Sequence, residues 1–192
     1  TAQSMVIALI DKVSRGGNFL LDIGPDEHGK IPPIMQERLL QIGDWMQING
    51  EAIYGTTRWK TPVQWSAGRK DPGNAHKVPS DWNDQNDIML KLTVDPDPGY
   101  AVKEIFYTYK PVSNTLYAIF PKYPSGRKLL LRDLALPSGT NIYFTSLQDR
   151  SLSWEQKGTD VEVQLPEYDP ALFSAPYAYA IRIENHGKFS SK

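Results

Sequence analysis

The sequence of 192 residues contains no cysteine, which excludes disulfide scaffolds, zinc–cysteine sites and cysteine nucleophiles. It also has almost no net charge, because 21 Lys and Arg residues oppose 22 Asp and Glu residues, leaving a formal charge of -1. A chain without a basic excess lacks the electrostatic footprint of a nucleic-acid binder. No apolar run approaches the ~18 residues of a membrane-spanning helix. We therefore expect neither a nucleic-acid partner nor a membrane span.

Residues 1–50 predict a helix, a strand and a second helix. The first helix has an apolar face at a spacing of three and four residues, formed by Val6, Leu9, Ile10 and Val13. Gly16 and Gly17 predict its end, and its other face carries Asp11, Lys12 and Ser14. The second helix opens at Pro32 and Pro33 and ends at Asn49 and Gly50. Its predicted buried stripe, with Leu40 and Trp45 beside it, comprises Met35, Leu39, Ile42 and Met46.

The predicted strand is a short, nearly continuous apolar run at residues 19–23, between glycines. Such a run is typical of a strand that is covered on both faces in a parallel sheet. A single strand of this kind has two unpaired backbone edges, and each parallel neighbour would need its own crossover helix. No second unit of this type follows. We therefore expect residues 1 to about 50 to be the tail of a larger α/β domain whose earlier strands are not in this chain.

From about Trp59 the helical periodicity disappears, and prolines become frequent. Short alternating or β-branched and aromatic runs are separated by turn signals and predict seven strands, at residues 88–94, 105–109, 115–120, 128–132, 141–146, 160–165 and 177–183. Strands at this spacing favour an antiparallel β-sandwich. Residues 66–87, rich in Asp, Asn, Gly, Pro and Lys, predict a long surface insertion.

Asp22 is the most informative carboxylate, because it interrupts the apolar run near its C-terminal end. Barrel enzymes place their catalytic residues at that end of a strand. A buried carboxylate there should be either hydrogen-bonded or catalytic, and we favour the first. Asp26, Glu27 and His28 follow in the next loop, where they would lie on the rim of the same face or be ordinary solvated loop residues. Asp22 and Glu27 could also be imagined as the paired carboxylates of a glycosidase, but this segment does not test their separation.

Metal binding is not expected. The three histidines form no closely spaced pair, being His28, His76 and His186. Asp95 and Asp97 alternate with prolines but lack the further ligands of a calcium loop, so a rigid turn is favoured.

Trp59, Trp65 and Trp82 cluster near the predicted domain junction. They could stack on sugar rings, but aromatic packing between two domains is favoured.

The order and spacing of several blocks resemble the C-terminal part of α-L-fucosidases of the retaining glycoside hydrolase type. The N-terminal blocks are Gly16 to Pro25, Gly29 to Pro32, Glu37 to Leu39, Ile42 to Trp45 and Asn49 to Thr56. The blocks that resemble the family's C-terminal sandwich are Phe106 to Thr108, Leu116 to Phe120, Pro124, Leu152 to Trp154, Val161 to Pro166 and Tyr177 to Ile181. The resemblance spans nearly the whole chain and is weakest at residues 66–87.

The resemblance implies an α/β plus all-β chain: the last βα portion of a (β/α)8-like barrel in residues 1–58, followed by an antiparallel β-sandwich in residues 59–192. In this family the aspartate nucleophile, the glutamate acid/base and the pocket histidines come from earlier barrel strands. No catalytic residue is therefore expected in this chain. Asp22 stands where the family usually has Asn, which implies a supporting hydrogen-bond role. The candidates for the rim of the substrate pocket are Asp22, Asp26, Glu27 and His28.

The implied activity of the parent protein is hydrolysis of terminal α-linked fucose from oligosaccharides or glycoconjugates, with retention and without metal or organic cofactor. The implied partners are the fucosylated substrate and the rest of the barrel, in the same chain or as a nicked partner. We expect a bacterial parent that is secreted or periplasmic, and an isolated chain that is inactive. The alternative is a non-catalytic carbohydrate-binding or structural β-sandwich, which would have no use for a buried strand at residues 19–23.

Overall fold

A computed structural model describes residues 1–70, 88–147 and 150–184. The helices are α1 (Ala2–Ser14), α2 (Pro33–Asn49) and the single turn α3 (Ile88–Lys91), with 3₁₀ turns at Gly50–Ala52 and Pro111–Ser113. The strands are β1 (Thr57–Trp65), β2 (Lys103–Lys110), β3 (Thr115–Phe120), β4 (Lys128–Leu131), β5 (Asn141–Phe144), β6 (Trp154–Lys157), β7 (Asp160–Gln164) and β8 (Tyr179–Glu184).

The strands form two antiparallel sheets. The larger sheet has five strands in the order β1-β2-β3-β8-β5, and the smaller has three in the order β4-β7-β6. Side chains from both sheets share one core, with Tyr107 and Leu116 on one side and Leu131 and Val163 on the other. The antiparallel, β-rich character predicted for the C-terminal half is confirmed, as are six of its seven predicted strands.

A second core lies on the opposite face of the large sheet, where the two long helices pack. Phe106, Tyr117 and Ile119 of the sheet meet Ile10 of α1 and Trp45 of α2 in this core. Because side chains alternate between the faces of a strand, β2 and β3 contribute to both cores. The described part of the chain therefore has three layers: the helices, the large sheet and the small sheet.

Helix α1 ends as predicted, but its buried face is wider than predicted. After Ser14 the chain turns through Gly16, whose φ of +82° favours glycine, and the Gly17 amide donates to the carbonyl oxygen of Lys12 at 2.9 Å. Ser14 is fully buried and Asp11 is 7% exposed. Their assignment to a separate polar face was wrong, because the Asp11 carboxylate pairs with Lys103 of the large sheet.

Helix α2 has the predicted bounds, but its predicted buried stripe is confirmed only at Ile42 and Met46, which pack against the second core. Met35 is 38% exposed and Leu40 is 70% exposed. The residue that anchors the helix is Trp45, which is fully buried and donates from Nε1 to the carbonyl oxygen of Ala178 at 2.8 Å. The helix therefore contacts the sheet mainly through its C-terminal half.

Two strand predictions are wrong, and two observed strands were not predicted. Residues 19–23 form no strand, because the described part of the chain offers their backbone no pairing partner. Residues 88–94 begin with the helical turn α3 rather than a strand. Strand β1 was not predicted, because Pro62 and two register shifts along its pairing with β2 interrupt the alternation. The short strand β6 was missed because it is mostly polar.

The predicted division of the chain at residue 58 stays a prediction, and β1 begins beside it at Thr57. Most of the predicted insertion at residues 66–87 lies outside the described residues. Its described beginning is held to the fold by a bridge between Arg69 and Tyr100.

Candidate functional site

The loop between α1 and α2 contains the four predicted pocket-rim residues, and Asp26 organises it. Asp26 Oδ1 accepts hydrogen bonds from the backbone amides of His28, at 2.9 Å, and Lys30, at 2.8 Å. The Asp26 amide donates to the Lys30 carbonyl oxygen at 2.8 Å, and Gly29 adopts a φ of +75° within the same turn. Asp side chains commonly stabilise turns in this way. The carboxylate of Asp26 is therefore engaged in shaping the loop.

Glu27 and His28 lie at the exposed tip of this loop. The distance from His28 Nε2 to Glu27 Oε1 is 3.6 Å, and both side chains are largely exposed to solvent. An exposed pair of this kind contributes little to stability. Both side chains are thus free to contact another molecule or another part of a larger protein.

Asp22 lies apart from the other three candidates. It lines a groove of about 270 Å³ between the loop and the two helices, with Met5, Leu21, Ile23, Ile34, Met35, Arg38 and Leu39. Asp22 is exposed, so the burial predicted for its carboxylate is not present in this chain. The structure therefore brings Glu27 and His28 together beside the turn of Asp26. The role of all four residues at a pocket rim remains a prediction.

Apolar side chains are unusually exposed along the loop and the outer face of α2. Leu20 is 94% exposed, Ile34 is 54% exposed and Leu40 is 70% exposed. Soluble proteins rarely expose large apolar patches unless another surface covers them. These residues lie in the loop and on α2.

A buried ionic contact joins α1 to β2, and the sequence analysis missed it. Lys103 Nζ lies 2.9 Å from Asp11 Oδ1, and Arg15 Nη2 lies 2.8 Å from the same oxygen. Both Asp11 and Lys103 are less than a tenth exposed. The available signal was the spacing Ser4, Ile7, Asp11 and Ser14, which places these residues on one helical face.

The sandwich has a polar and aromatic surface cavity, widely open to solvent, that the sequence analysis also missed. Its volume is about 620 Å³, and its lining includes Tyr123, Arg127, Glu167, Tyr168 and Tyr179. The loop at residues 121–126 separates it from a second cavity of about 510 Å³. The three tyrosines are far apart in sequence, so only the fold brings them together.

Trp59 does not pack between two domains as predicted. Trp59 is 4% exposed and lies in the core between the two sheets, with its ring centroid 5.0 Å from that of Tyr107. Trp65 is partly exposed, with Lys103 Nζ 5.8 Å from its ring centroid. Trp82 lies outside the described residues. Packing of the helical layer on the sheet depends instead on Trp45.

Within the described ranges, no group of three or more His, Asp or Glu side chains is arranged to hold a metal ion. No helix in the same part of the chain is both long and apolar enough to cross a membrane. The loop offers carboxylates and one imidazole, whereas the cavity offers phenol hydroxyls, one guanidinium and one carboxylate.

Both halves of the chain match models of known protein families. Residues 1–51 match the family model described as alpha-L-fucosidase, and residues 100–184 match the one described as alpha-L-fucosidase C-terminal domain. The chain belongs to the α-L-fucosidase family. This confirms the resemblance seen in the sequence blocks on both sides of residue 58.

Relatives of this chain occur in animals and bacteria. It is 32% identical over 186 residues to the plasma alpha-L-fucosidase of Rattus norvegicus, covering 96% of the chain and 33% of the rat protein. It is 32% identical over 188 residues to the human tissue alpha-L-fucosidase, covering 95% of the chain and 32% of that protein. A crystal structure of the Thermotoga maritima alpha-fucosidase with a mechanism-based inhibitor matches with a TM-score of 0.66 and 26% identity, over 96% of the chain and 34% of that structure. The chain thus spans about a third of the length of these relatives.

Proposed function

We propose that this chain is the C-terminal part of a retaining exo-α-L-fucosidase whose other barrel strands lie outside the 192 residues. Residues 1–58 supply the last strand and its flanking helices to a (β/α)8-like catalytic barrel, and residues 59–192 form the attached β-sandwich. The observation that carries this proposal is the apolar run at residues 19–23. It has the composition of a barrel strand but no strand partner within the described ranges.

The burial of this run alternates along the chain. Phe19, Leu21 and Ile23 are partly buried, whereas Leu20 and Asp22 are exposed. Alternation of this kind is typical of extended chain, in which successive side chains point to opposite sides. In a barrel the helices lie outside the strands, so the partly buried side corresponds to the outside. Leu20 and Asp22 would then face the interior of the barrel, with Asp22 near the C-terminal end of the strand.

The exposed apolar surface supports the rest of the barrel as the partner of this segment. Leu20, Ile34 and Leu40 expose more than half of their surface, while most apolar residues of the strands lie in two continuous cores. A free-standing carbohydrate-binding or structural sandwich would have no use for such a surface. The missing barrel could belong to the same polypeptide or to a nicked partner chain, and either would cover the same residues.

The length comparison supports the same proposal. The chain aligns over nearly its whole length, yet it covers only 33% of the rat enzyme and 34% of the Thermotoga maritima structure. The matched region runs across both family models, from the catalytic part into the C-terminal domain. A chain that begins inside the catalytic part accounts for both facts.

In the proposed parent, a pair of carboxylates from upstream strands removes terminal α-linked fucose through a covalent glycosyl-enzyme intermediate. The second carboxylate protonates the leaving oxygen and then activates water, so the reaction needs no metal or organic cofactor. Asp22 would lie at the pocket rim, where its carboxylate can accept hydrogen bonds from neighbouring groups. Asp26 orders the next loop so that Glu27 and His28 are presented at the same rim. We place the parent in the periplasm or outside the cell.

Hydrolysis of an aryl α-L-fucoside tests this proposal. The isolated chain should show no turnover, while the full-length parent should hydrolyse the fucoside with retention of anomeric configuration, followed by NMR. Turnover by the isolated chain would contradict the placement of the catalytic pair outside it. An inactive full-length parent, correctly folded by circular dichroism, would contradict the proposed fucosidase activity.

A further inference from the structure

We propose that the cavity bounded by Tyr123, Arg127, Glu167, Tyr168 and Tyr179 is a binding site for a neutral saccharide. Its volume of about 620 Å³ lies within the range of about 300–1,000 Å³ typical of small-molecule sites. It belongs to the sandwich and lies outside residues 1–58, which contain the pocket-rim candidates. Binding there would not depend on hydrolytic activity, so a test of this site is independent of the test of the proposed fucosidase function.

The aromatic rings of the cavity are held in a fixed arrangement around Tyr168. Phe173 stacks on Tyr168 with ring centroids 5.7 Å apart and an interplanar angle of 8°. Tyr123 meets Tyr168 edge-on at 5.2 Å, and Tyr179 does so at 6.2 Å. Tyr168 is nevertheless 39% exposed, so part of the residue remains accessible to a ligand. A fixed, partly accessible ring suits the apolar C–H face of a pyranose and loses little entropy on binding.

The two walls of the cavity are joined by hydrogen bonds that pre-form it. The Tyr123 hydroxyl donates to the carbonyl oxygen of Pro166 at 2.8 Å. The Arg127 carbonyl oxygen accepts from the Leu165 amide at 2.8 Å and from Gln164 Nε2 at 3.0 Å. The loop with Tyr123 and Arg127 is thus fixed to the segment that leads into Glu167 and Tyr168. A cavity whose walls are already in place is the usual form of a small-molecule site.

The phenols of the cavity are neutral hydrogen-bonding groups. Burial raises the pKa of Tyr123 to about 12. Burial also raises the pKa of Tyr179, and a hydrogen bond with the Tyr168 side chain raises it further. A neutral phenol can both donate and accept, which matches the hydroxyl groups of a sugar.

The charges at the rim distinguish a neutral ligand from an ionic one. Arg127 and Glu167 are exposed, and neither forms an ion pair with any other described residue. Three aromatic rings could otherwise form a cage for a quaternary ammonium ion, but the guanidinium of Arg127 disfavours a cation. The carboxylate of Glu167 disfavours an anion in the same way. Both groups readily hydrogen-bond hydroxyls, so a neutral polyhydroxylated ligand fits the set.

Isothermal titration calorimetry with the 192-residue chain tests this site. The probes are methyl α-L-fucopyranoside, lactose and 2′-fucosyllactose, with choline as the cationic comparison. We expect at least one saccharide to bind with a dissociation constant on the order of 1 mM and choline not to bind. Tyr168→Ala should weaken saccharide binding by about tenfold or more, because it removes the stacking ring. Tyr168→Phe keeps the ring and is the matched control, expected to stay within about threefold of the wild type.

A second variant keeps the proposal testable if Tyr168→Ala does not fold. Glu167→Ala removes an exposed side chain with no ion pair in the described part of the chain, so the fold should be unaffected. It should weaken saccharide binding by about threefold or more. The site is refuted if no saccharide binds, if choline binds instead, or if both Tyr168→Ala and Glu167→Ala leave saccharide affinity unchanged. If Tyr168→Ala fails to fold, Glu167→Ala decides alone.

Discussion

Residues 19–23 and strand β3 are both short apolar runs, yet they lie in opposite environments. Strand β3 pairs with β2 on one side and β8 on the other, and all six of its residues are buried. The run at residues 19–23 has no strand partner in the described part of the chain, and Leu20 within it is 94% exposed. The difference lies in the neighbours, because β3 has paired strands beside it and layers on both faces. An apolar run therefore predicts burial without identifying the partner that buries it.

The same contrast divides helix α2. Trp45, in its C-terminal half, packs on the large sheet and is fully buried, whereas Leu40 is 70% exposed. The two residues lie in one helix and have similar sequence signals, so the comparison isolates the effect of a neighbouring layer.

Of the predicted changes, the largest loss of stability should come from Trp45, the buried residue of the two. Trp45→Ala should lower the free energy of unfolding by about 4 kcal/mol, because it removes a fully buried ring and the hydrogen bond to Ala178. Leu40→Ala is the matched control and should change it by no more than about 0.5 kcal/mol in the isolated chain. Urea denaturation measures both. Equal losses of unfolding free energy in the two variants would contradict the account, because they would mean that Leu40 is buried in the isolated chain.

The next effect concerns the ionic contact between Asp11 of α1 and Lys103 of β2, which joins the helical layer to the large sheet. Asp11→Ala should cost about 3 kcal/mol, because it leaves the ammonium of Lys103 buried without its carboxylate. Arg15→Ala removes the more exposed partner of the same carboxylate and should cost no more than about 1 kcal/mol. Thermal and urea denaturation give both values. The double variant Asp11→Leu with Lys103→Met should recover most of the loss, and failure to recover it would contradict the assigned role of the pair.

A smaller effect is expected at Asp22 in the proposed full-length parent. In the full-length parent, Asp22→Asn should lower kcat/KM by no more than about tenfold, compared with the ~10³-fold or greater loss on removing an essential catalytic group. The reason is that an amide can still hydrogen-bond at the pocket rim. Asp44→Asn, an exposed position on α2, is the control and should leave the rate unchanged. An abolished rate for Asp22→Asn would make Asp22 a catalytic residue.

The smallest effect concerns the small sheet, the layer that covers the other side of the sandwich core. Hydrogen bonds from Lys157 and then Lys128 lower the pKa of Glu162 below its ordinary value. Because the folded pKa lies below the unfolded one, the stabilisation is present above about pH 4.3 and is lost as the pH falls through the folded pKa. Glu162→Gln should therefore reduce the loss of Tm between pH 7 and pH 3. Glu167→Gln is the control, and identical curves for wild type and Glu162→Gln would contradict the assignment.

Local pattern predicted the elements whose signals are contained in a few residues. The end of α1 at Gly16 and Gly17, the bounds of α2 and the strand at residues 115–120 all follow from such signals. Strand β1 was missed because its bulges and Pro62 hide the alternation. The segment at residues 19–23 was predicted as a strand because sequence pattern reports burial tendency and not the availability of a partner.

The candidate site was predictable only in part. The sequence identified the loop after residue 23, and the turn formed by Asp26 agrees with its turn-forming composition. The contact between Asp11 and Lys103 joins residues 92 positions apart, and no local pattern specifies such a pair. The cavity lined by Tyr123, Tyr168 and Tyr179 likewise depends on how three distant segments meet.

Amide hydrogen exchange at residues 19–23 tests the central claim most directly, with strand β3 as an internal reference. In the isolated chain these amides should exchange rapidly while those of Thr115–Phe120 are protected, since unpaired amides exchange without global unfolding. In the full-length parent, residues 19–23 should become as protected as β3, because parallel strands now pair with both edges. Rapid exchange of residues 19–23 in the parent as well would contradict the claim that this segment is a strand of its barrel.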